Sequence, residues 1–243
     1  MNIGIVPARL KSTRFPKKIL ADLGGKPMIA HVVERAMKSK KLDKVILAVD
    51  SQETIDALRG YGFEILMTSV EHQSGTDRAS EVIQNIKEAS IIINIQGDEP
   101  LLDPNMLDDL VDVFEDRKVE MATILSRKLT VSDLLNPNVV KAIMDQNSNA
   151  VEFKRNVFDL EIGGVYRHIG MYGFRKETLL KFSSLGISAR EKERNLEQMR
   201  ALDNNIQIKA IISSYETLAV DTEEDFKHVE KIIKSLKNND GLG

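Results

Sequence analysis

The sequence of 243 residues predicts an α/β fold, a doubly wound and mostly parallel sheet that carries a β-rich excursion. The first observation is a set of short apolar runs without alternation, at Ile3–Val6, Val45–Val49, Phe63–Met67 and Ile91–Ile95. Such runs are typical of strands covered on both faces, as in a parallel sheet. The second observation is that amphipathic segments separate these runs, so strand and helix alternate through about residue 118.

The helical segments are marked by apolar spacing and by residues that favour helix starts. The segment "KPMIAHVVERAMKS" places five apolar residues between Met28 and Ala36 on one face. Proline is favoured at the first helical position, and serine or threonine favours the cap before it. On these grounds helices are predicted to start at Pro27, at Ser51, at Ser74 with Asp77 as a capping pair, at Pro104 and at Thr222.

Residues 120–175 have a different sequence pattern, with short strand-like runs such as "VVKAIMD" and "YRHIGMYGF". We expect this stretch to be β-rich and to leave the main sheet. Two helices are predicted after it, over Lys176–Ser184 and from Ala189 to about Leu202, followed by the strand "IQIKAIIS" and a closing helix. The sequence contains no internal repeat, low-complexity tract or clear linker, so residues 1–243 are predicted to form one domain.

Composition excludes several classes of function. The formal net charge of -3 argues against a protein that coats nucleic acid or an anionic membrane, because both need a broad basic field. The absence of cysteine excludes disulfides, thiolate zinc sites and a cysteine nucleophile. The first apolar run is too short for a signal peptide, and no stretch reaches the ~20 apolar residues that a membrane helix needs. A soluble, cytoplasmic protein is therefore expected.

A basic loop follows the first predicted strand. The segment "PARLKSTRFPKK" holds five basic side chains and no acidic one: Arg9, Lys11, Arg14, Lys17 and Lys18. Charge clusters are often only solvated surface, but backbone N–H groups at a strand-to-helix turn, reinforced by Arg and Lys, form an anion site. Neither G-x-x-x-x-G-K-[ST] nor G-x-G-x-x-G is present, so the loop is predicted to bind a triphosphate without an ordinary P-loop or a dinucleotide motif.

Acidic side chains follow two other predicted strands. Asp98 lies in "QGDEP" after the fourth strand, and Asp221 lies just before the last helix. Either aspartate alone could equally cap a turn. Together, near a triphosphate loop, they offer the hard oxygen ligands that Mg²⁺ takes in addition to phosphate. Asp50 ends another strand and is interpreted as a neighbour of a helix cap.

Several motifs in order along the chain carry a resemblance to a known family. They are "IVPARLKSTRFPKKILADLGGKPMI", "HQSGTDR", "NIQGDEPLL", "NPNVVK", "RHIGMYGFR", "LEQMRAL" and "VDTEEDF". Together they resemble the 3-deoxy-manno-octulosonate cytidylyltransferases, also called CMP-Kdo synthetases. The resemblance spans essentially the whole chain, and the combination is far more specific than any single motif.

The resemblance implies transfer of a cytidylyl group from CTP to the anomeric hydroxyl of an acidic sugar, with Mg²⁺ and release of pyrophosphate, for lipopolysaccharide synthesis. It also implies a mixed, Rossmann-like nucleotidyltransferase sheet and a homodimer. The β-rich excursion at 120–175 would then serve dimerisation and the sugar side. The "LEQMR" helix is expected near the two-fold interface, with Met199 and Leu202 available for contact.

Site residues are implied by position within the matching motifs. Nucleotide-binding positions are Ala8, Arg9, Ser12, Arg14, Lys18, Gln73, Ser74, Gly75 and Arg78. Substrate-binding positions on the sugar side are Gln96, Arg155, His168, Tyr172, Glu197 and Gln198. The metal ligands are Asp98 and Asp221, and the catalytic set is Arg9, Lys18, Asp98 and Asp221.

The sequence departs from the family mainly on the sugar side. The family pattern A-L-Y-F-S-R-x-x-I-P is replaced by "AVEFKRNVFD", which introduces Glu152 and Lys154, and the following "LEIGG" is shorter. The run "AREKERN" before "LEQMR" also differs, and Lys17 replaces a glycine in the phosphate loop. The new charges indicate either a modified acceptor, such as the 8-amino form of Kdo, or two side chains that face solvent.

Three alternatives stay open at this stage. One is a cytidylyltransferase of the CMP-sialic-acid type, whose opening loop differs from "ARLKSTRFPKK". Another is a sugar-1-phosphate nucleotidyltransferase, which typically has a glycine-rich opening loop. The third is a nucleotide-binding protein that has lost catalysis, although binding alone would not need two metal carboxylates.

Overall fold

A computed structural model describes residues 1–12, 15–156 and 164–240, with side chains described through Leu236. The strands are β1 Asn2–Ala8, β2 Lys44–Val49, β3 Glu64–Met67, β4 Ile91–Asn94, β5 Met121–Ser126, β6 Lys141–Met144, β7 Asn149–Lys154, β8 Val165–Arg175 and β9 Ile208–Ser213. The α-helices are α1 Met28–Ala36, α2 Gln52–Ala57, α3 Gly75–Gln84, α4 Pro104–Asp112, α5 Val131–Leu135, α6 Lys176–Ser184, α7 Ala189–Arg194, α8 Gln198–Asp203 and α9 Glu223–Asp240.

The first four strands form the parallel half of one mixed sheet. Strand order is β3-β2-β1-β4-β8-β5-β9-β7-β6, and β1 pairs in parallel with both β2 and β4. All four strands predicted from the apolar runs are present, and their parallel pairing is confirmed. Strand β8 then pairs antiparallel with β4, which makes the sheet mixed. The carboxyl ends of β1, β2 and β4 therefore share one edge, where ligands of open α/β sheets bind.

The second half of the sheet closes on itself. Strand β8 pairs with β5, and β9 joins β5 to β7. The β6–β7 hairpin returns to the amino-terminal part of β8, which completes a ring of five strands. Because β5 and β8 belong to the central sheet, the segment that leaves it is narrower than the expected 120–175. This segment also contains the short helix α5, which its strand-like sequence pattern did not predict.

Two apolar layers cover the sheet. On β1, Ile3 and Ile5 pack into a core with α3 and α6, while Val6 and Ala8 pack on the other face with α1 and α4. All four side chains are almost fully buried, which explains why the run lacks polar alternation. Among the described residues, no helix has the length and apolar character needed to cross a membrane.

Most predicted helix starts are confirmed, but one predicted helix is divided. Helix α3 begins after Ser74, whose side chain accepts a hydrogen bond from the backbone of Asp77. The expected helix from Ala189 to about Leu202 is interrupted at Asn195, which has φ 53° in the left-handed region. Asparagine tolerates this conformation better than most residues, so it ends α7 and lets the chain turn. As a result, Glu197 directly precedes α8.

Candidate active site

A buried lysine lies between the two aspartates that the sequence proposed as metal ligands. The ammonium of Lys18 is 3.0 Å from Oδ2 of Asp98 and 3.8 Å from Oδ1 of Asp221. Its Nζ also donates a 2.5 Å hydrogen bond to the carbonyl of Val220. Three segments that are distant in sequence, the basic loop, the β4 end and the segment before α9, therefore meet at one point.

Backbone contacts fix this convergence. The N–H of Val220 donates a 2.8 Å hydrogen bond to the carbonyl of Asp98, which ties the two aspartate segments together. Gly97 brings the β4 end close to β1, because a Cβ there would lie only 2.9 Å from the carbonyl oxygen of Pro7. Lys17, at φ 52°, turns the basic loop into the short 3₁₀ helix Lys18–Leu20. These contacts direct the Lys18 side chain inward.

Glu99 does not extend this acidic pair. It is 5% exposed, and its Oε2 has no hydrogen-bond partner among the described residues. Burial, reinforced by the charge of Asp98, raises the pKa of Glu99 to about 8. The described residues contain no cluster of three metal-ligating side chains, and the carboxylates that lie near the Lys18 ammonium are those of Asp98 and Asp221.

The basic loop is anchored by a residue that the sequence analysis undervalued. Asp50 accepts a 2.9 Å hydrogen bond from the backbone N–H of Leu10 and lies 3.5 Å from the guanidinium of Arg78. Arg78 is 3% exposed, and it also donates to Thr68 and to the Ser69 carbonyl. Burial lowers the pKa of Arg78, and Asp50 opposes that shift. Sequence position alone did not separate this role from helix capping.

We expect Asp50→Asn to lower the free energy of unfolding by about 3 kcal/mol, because it leaves the Arg78 charge buried without its counter-ion. The side chains of Arg78 and Asp50 are only 4% and 13% exposed. Urea denaturation measures the change. The matched control is Asp56→Asn, which breaks an exposed pair with Arg59 and should cost less than about 0.5 kcal/mol. Equal effects of the two variants would contradict the anchoring role.

The other predicted nucleotide positions surround this anchor. Ala8 is buried at the end of β1, Arg9 is exposed and its charge lowers the pKa of Arg78, and Ser12 is partly exposed. Arg14 lies outside the described residues. The remaining positions lie at the start of α3: Gln73 is exposed, Ser74 caps the helix, and a Cβ on Gly75 would lie 3.0 Å from the Pro7 ring.

Two of the predicted sugar-side residues, His168 and Tyr172, form a second group on β8. The rings of His168 and Tyr172 are 5.5 Å apart, and Phe153 contacts His168 edge-on at 5.0 Å. Burial lowers the pKa of His168 to about 3, which keeps the imidazole neutral. Burial also raises the pKa of Tyr172, and the nearby charge of Glu197 adds to that shift.

Gln96 connects the two groups. Its Nε2 donates a 2.5 Å hydrogen bond to the carbonyl of Gly170, which lies between His168 and Tyr172 on β8. Since Gln96 is two residues before Asp98, the loop that carries Asp98 is tied to the strand that carries His168 and Tyr172. The structure thus brings both predicted groups to neighbouring parts of one sheet edge.

Comparison with known proteins identifies the family. A profile described as cytidylyltransferase matches residues 3–211. The 3-deoxy-manno-octulosonate cytidylyltransferase of Geobacter sulfurreducens is 40% identical over 254 residues, covering 98% of this chain and 100% of that protein. The chain belongs to the 3-deoxy-manno-octulosonate cytidylyltransferase family.

Solved structures agree with this membership. A CMP:2-keto-3-deoxy-manno-octonic acid synthetase complexed with CTP superposes with a TM-score of 0.90 at 31% identity, over 96% of this chain and 98% of that chain. A cytidylyltransferase from Leptospira borgpetersenii has a TM-score of 0.64 at 17% identity, over 99% of this chain and 95% of that chain. The second similarity concerns the fold alone.

The departures from the pattern of this cytidylyltransferase family contact each other. Glu152 forms an ion pair with Arg194, which lies in the divergent "AREKERN" run, and Arg194 also donates a 3.0 Å hydrogen bond to the Phe153 carbonyl. Glu152 is therefore half-buried and engaged, so the interpretation that it simply faces solvent is wrong. Lys154 is also only partly exposed. The shortened "LEIGG" falls almost entirely outside the described residues.

Two further expectations concern Arg155 on the sugar side and Met199 at a subunit interface. Three of the five N–H donors of Arg155 contact backbone carbonyls, those of Pro137, Arg194 and Asn195, at 3.0 to 3.3 Å. Arg155 therefore ties the end of β7 to the end of α7. Met199 is 0% exposed within the chain's own core, so the expectation that it is available at a subunit interface is wrong.

Proposed function

We propose that this protein transfers the cytidylyl group of CTP to the anomeric hydroxyl of a 3-deoxy-ulosonic acid, Kdo, and releases pyrophosphate. The observation that carries the proposal is the meeting of Lys18 with Asp98 and Asp221 at the sheet edge beside the basic loop. The product would be the activated sugar for lipopolysaccharide synthesis. The related cytidylyltransferase and the related synthetase complexed with CTP support the nucleotide and the class of acceptor.

The two carboxylates fit a Mg²⁺ ion. Their side chains are 28% and 37% exposed, so Asp98 and Asp221 are accessible to solvent. Magnesium commonly takes one or two carboxylates and completes its shell with phosphate oxygens and water. When bound there, the ion would offset negative charge on the phosphates and lower the pKa of a coordinated hydroxyl.

The chain's own residues would align and neutralise the reacting groups. The acceptor oxygen forms a bond to the α-phosphorus as the bond to the pyrophosphate oxygen breaks, so the reaction depends on positioning and charge more than on covalent catalysis. Lys18 and Arg9 supply positive charge to the phosphoryl oxygens. Asp50 and Arg78 hold the basic loop in place. Glu197 and Tyr172 offer hydrogen-bonding groups to the sugar.

The acceptor that fits best is unmodified Kdo. An acceptor with an amino group would need a carboxylate available to it, and Glu152 was the new acidic side chain on this side. Its carboxylate is paired with Arg194 instead. Within the part of the chain that the structure describes, the divergent residues therefore support a changed internal contact and give no support to a modified sugar.

Pyrophosphate release with CTP and a panel of acids tests this function. We expect turnover with Kdo, at least about tenfold lower kcat/KM with 8-amino-Kdo or N-acetylneuraminic acid, and little turnover when ATP replaces CTP. Chelation with EDTA should stop the reaction, and added Mg²⁺ should restore it. Preference for N-acetylneuraminic acid would indicate the sialic type, and CTP binding without turnover on any acid would indicate an inactive nucleotide-binding protein.

The finer description of the fold belongs to the same proposal. Helices on both faces of the parallel half support a doubly wound, Rossmann-like nucleotidyltransferase sheet. The single domain, the homodimer, the role of 120–175 in dimerisation and the cytoplasmic location stay predictions of the sequence.

A further inference from the structure

A chain of buried hydrogen bonds leads from the central sheet to Glu197. The side-chain Nδ2 of Asn94 donates a 3.0 Å hydrogen bond to Oγ1 of Thr76, and the Thr76 hydroxyl donates to a carboxylate oxygen of Glu197. Thr76 is 0% exposed and Asn94 is 2% exposed. Because the Asn94 amide occupies the acceptor side of the hydroxyl, the Thr76 proton is directed to Glu197.

These residues join segments that belong to different halves of the site. Thr76 is the second residue of α3, directly after Ser74 and Gly75, which lie among the predicted nucleotide positions. Glu197 lies 121 residues further along the chain, immediately before α8. The Thr76 hydroxyl supplies a direct bond between these two segments, in addition to the 4.0 Å ion pair of Arg200 with Asp77.

The groups around Glu197 explain why the hydrogen bond from Thr76 affects its carboxylate. Burial raises the pKa of Glu197, and the hydrogen bond from Thr76 opposes that shift by stabilising the charged form. The Arg200 guanidinium binds Glu191 through two hydrogen bonds of 2.8 and 2.5 Å. The charge of Arg200 also lowers the pKa of Glu197, and the charge of Asp77 raises it. The Thr76 hydroxyl, at the start of α3, is the hydrogen-bond donor that contacts this carboxylate and can fix its orientation.

We propose that Thr76, held by Asn94, is a positioning residue that fixes the Glu197 carboxylate for hydrogen bonding to the hydroxyl groups of the acceptor sugar. Thr76 does not touch the sugar in this arrangement and acts through Glu197. The inference rests on the proposed function for the identity of the acceptor. It adds that the nucleotide-binding end of α3 also sets the geometry of the acceptor site.

The test compares Thr76→Val, which removes the hydroxyl at nearly constant volume, with Thr76→Ser, which keeps it. We expect Thr76→Val to raise the KM for Kdo about tenfold, the effect of losing a hydrogen bond to a charged group, and to leave the KM for CTP unchanged. Thr76→Ser should restore the KM for Kdo to within about threefold of the parent value. Thermal unfolding of both variants reports whether each is folded.

A second measurement does not depend on turnover. In protein labelled with ¹³C at the glutamate carboxyl carbon, NMR titration should show a higher pKa for Glu197 in Thr76→Val than in the parent and in Thr76→Ser, because a donor to the charged form is lost. An unchanged titration would overturn the positioning role. A changed titration with an unchanged KM for Kdo would reduce Thr76 to a structural residue. A parent protein that fails to release pyrophosphate overturns the proposed function instead, and NMR alone then decides whether Thr76 holds Glu197.

Discussion

Asp98→Asn is expected to lower kcat by on the order of 10³-fold while changing the Kd for CTP by less than about threefold. Asparagine keeps an oxygen that can accept the hydrogen bond from Lys18, which now spans 3.0 Å, so the loop should stay in place. The variant loses the negative charge that a divalent ion needs from this position. Steady-state kinetics gives kcat, and calorimetry with CTP gives the Kd.

The control for this substitution is Asp103→Asn, in the same loop. Asp103 caps α4 by accepting a 2.9 Å hydrogen bond from the backbone of Asn105, and asparagine serves equally well at a cap. Its kcat should stay within about twofold of the parent value. Asp98→Asn with near-parent turnover would remove Asp98 from the catalytic set.

Lys18→Met should lower kcat by about 10²- to 10³-fold and strengthen the binding of Mn²⁺ to the nucleotide-free protein by at least about tenfold. The ammonium of Lys18 contacts the same carboxylate oxygens that a divalent ion would use, at 3.0 and 3.8 Å. The parent protein should therefore bind Mn²⁺ weakly until a triphosphate adds negative charge and offers Lys18 other partners. Electron paramagnetic resonance of free Mn²⁺, with and without CTP, measures this coupling.

Lys17→Met is the matched control, because Lys17 is adjacent in sequence and pairs with Glu53 on the surface. The two side chains of that pair are 60% and 49% exposed, so its loss should change neither Mn²⁺ binding nor kcat detectably. If Lys18→Met binds Mn²⁺ no more tightly than the parent in the absence of CTP, competition between the lysine and the ion is refuted.

The parallel half of the fold was predictable because its determinants are local. The unbroken apolar run at Ile3–Val6 and the Ser74 cap each carry a signal within a few residues, and both predictions are confirmed. The division of the predicted helix at Asn195 was missed because its flanks keep helical periodicity. A single left-handed residue leaves little trace in hydrophobic spacing.

The site was only partly predictable, for a different reason. Strand-end position brought Lys18, Asp98 and Asp221 under consideration, and the structure places them together. Asp50 and Thr76 were not recognised, because their roles come from partners that lie 40 and 121 residues away in the sequence. Contacts at such separation are set by packing of the sheet, which no single motif encodes.

The two ends of strand β8 pair with different strands, and this difference bears on how acceptor preference can change. Its later residues, Tyr172 to Arg175, pair with β4, whereas its earlier residues, Val165 to Arg167, pair with the β6–β7 hairpin. Under the proposed function, substitutions in the hairpin would therefore alter the sugar side while the pairing of β8 with β4 keeps its register. Mutant libraries designed to change the acceptor sugar should vary residues 141–154 and keep residues 91–98 unchanged.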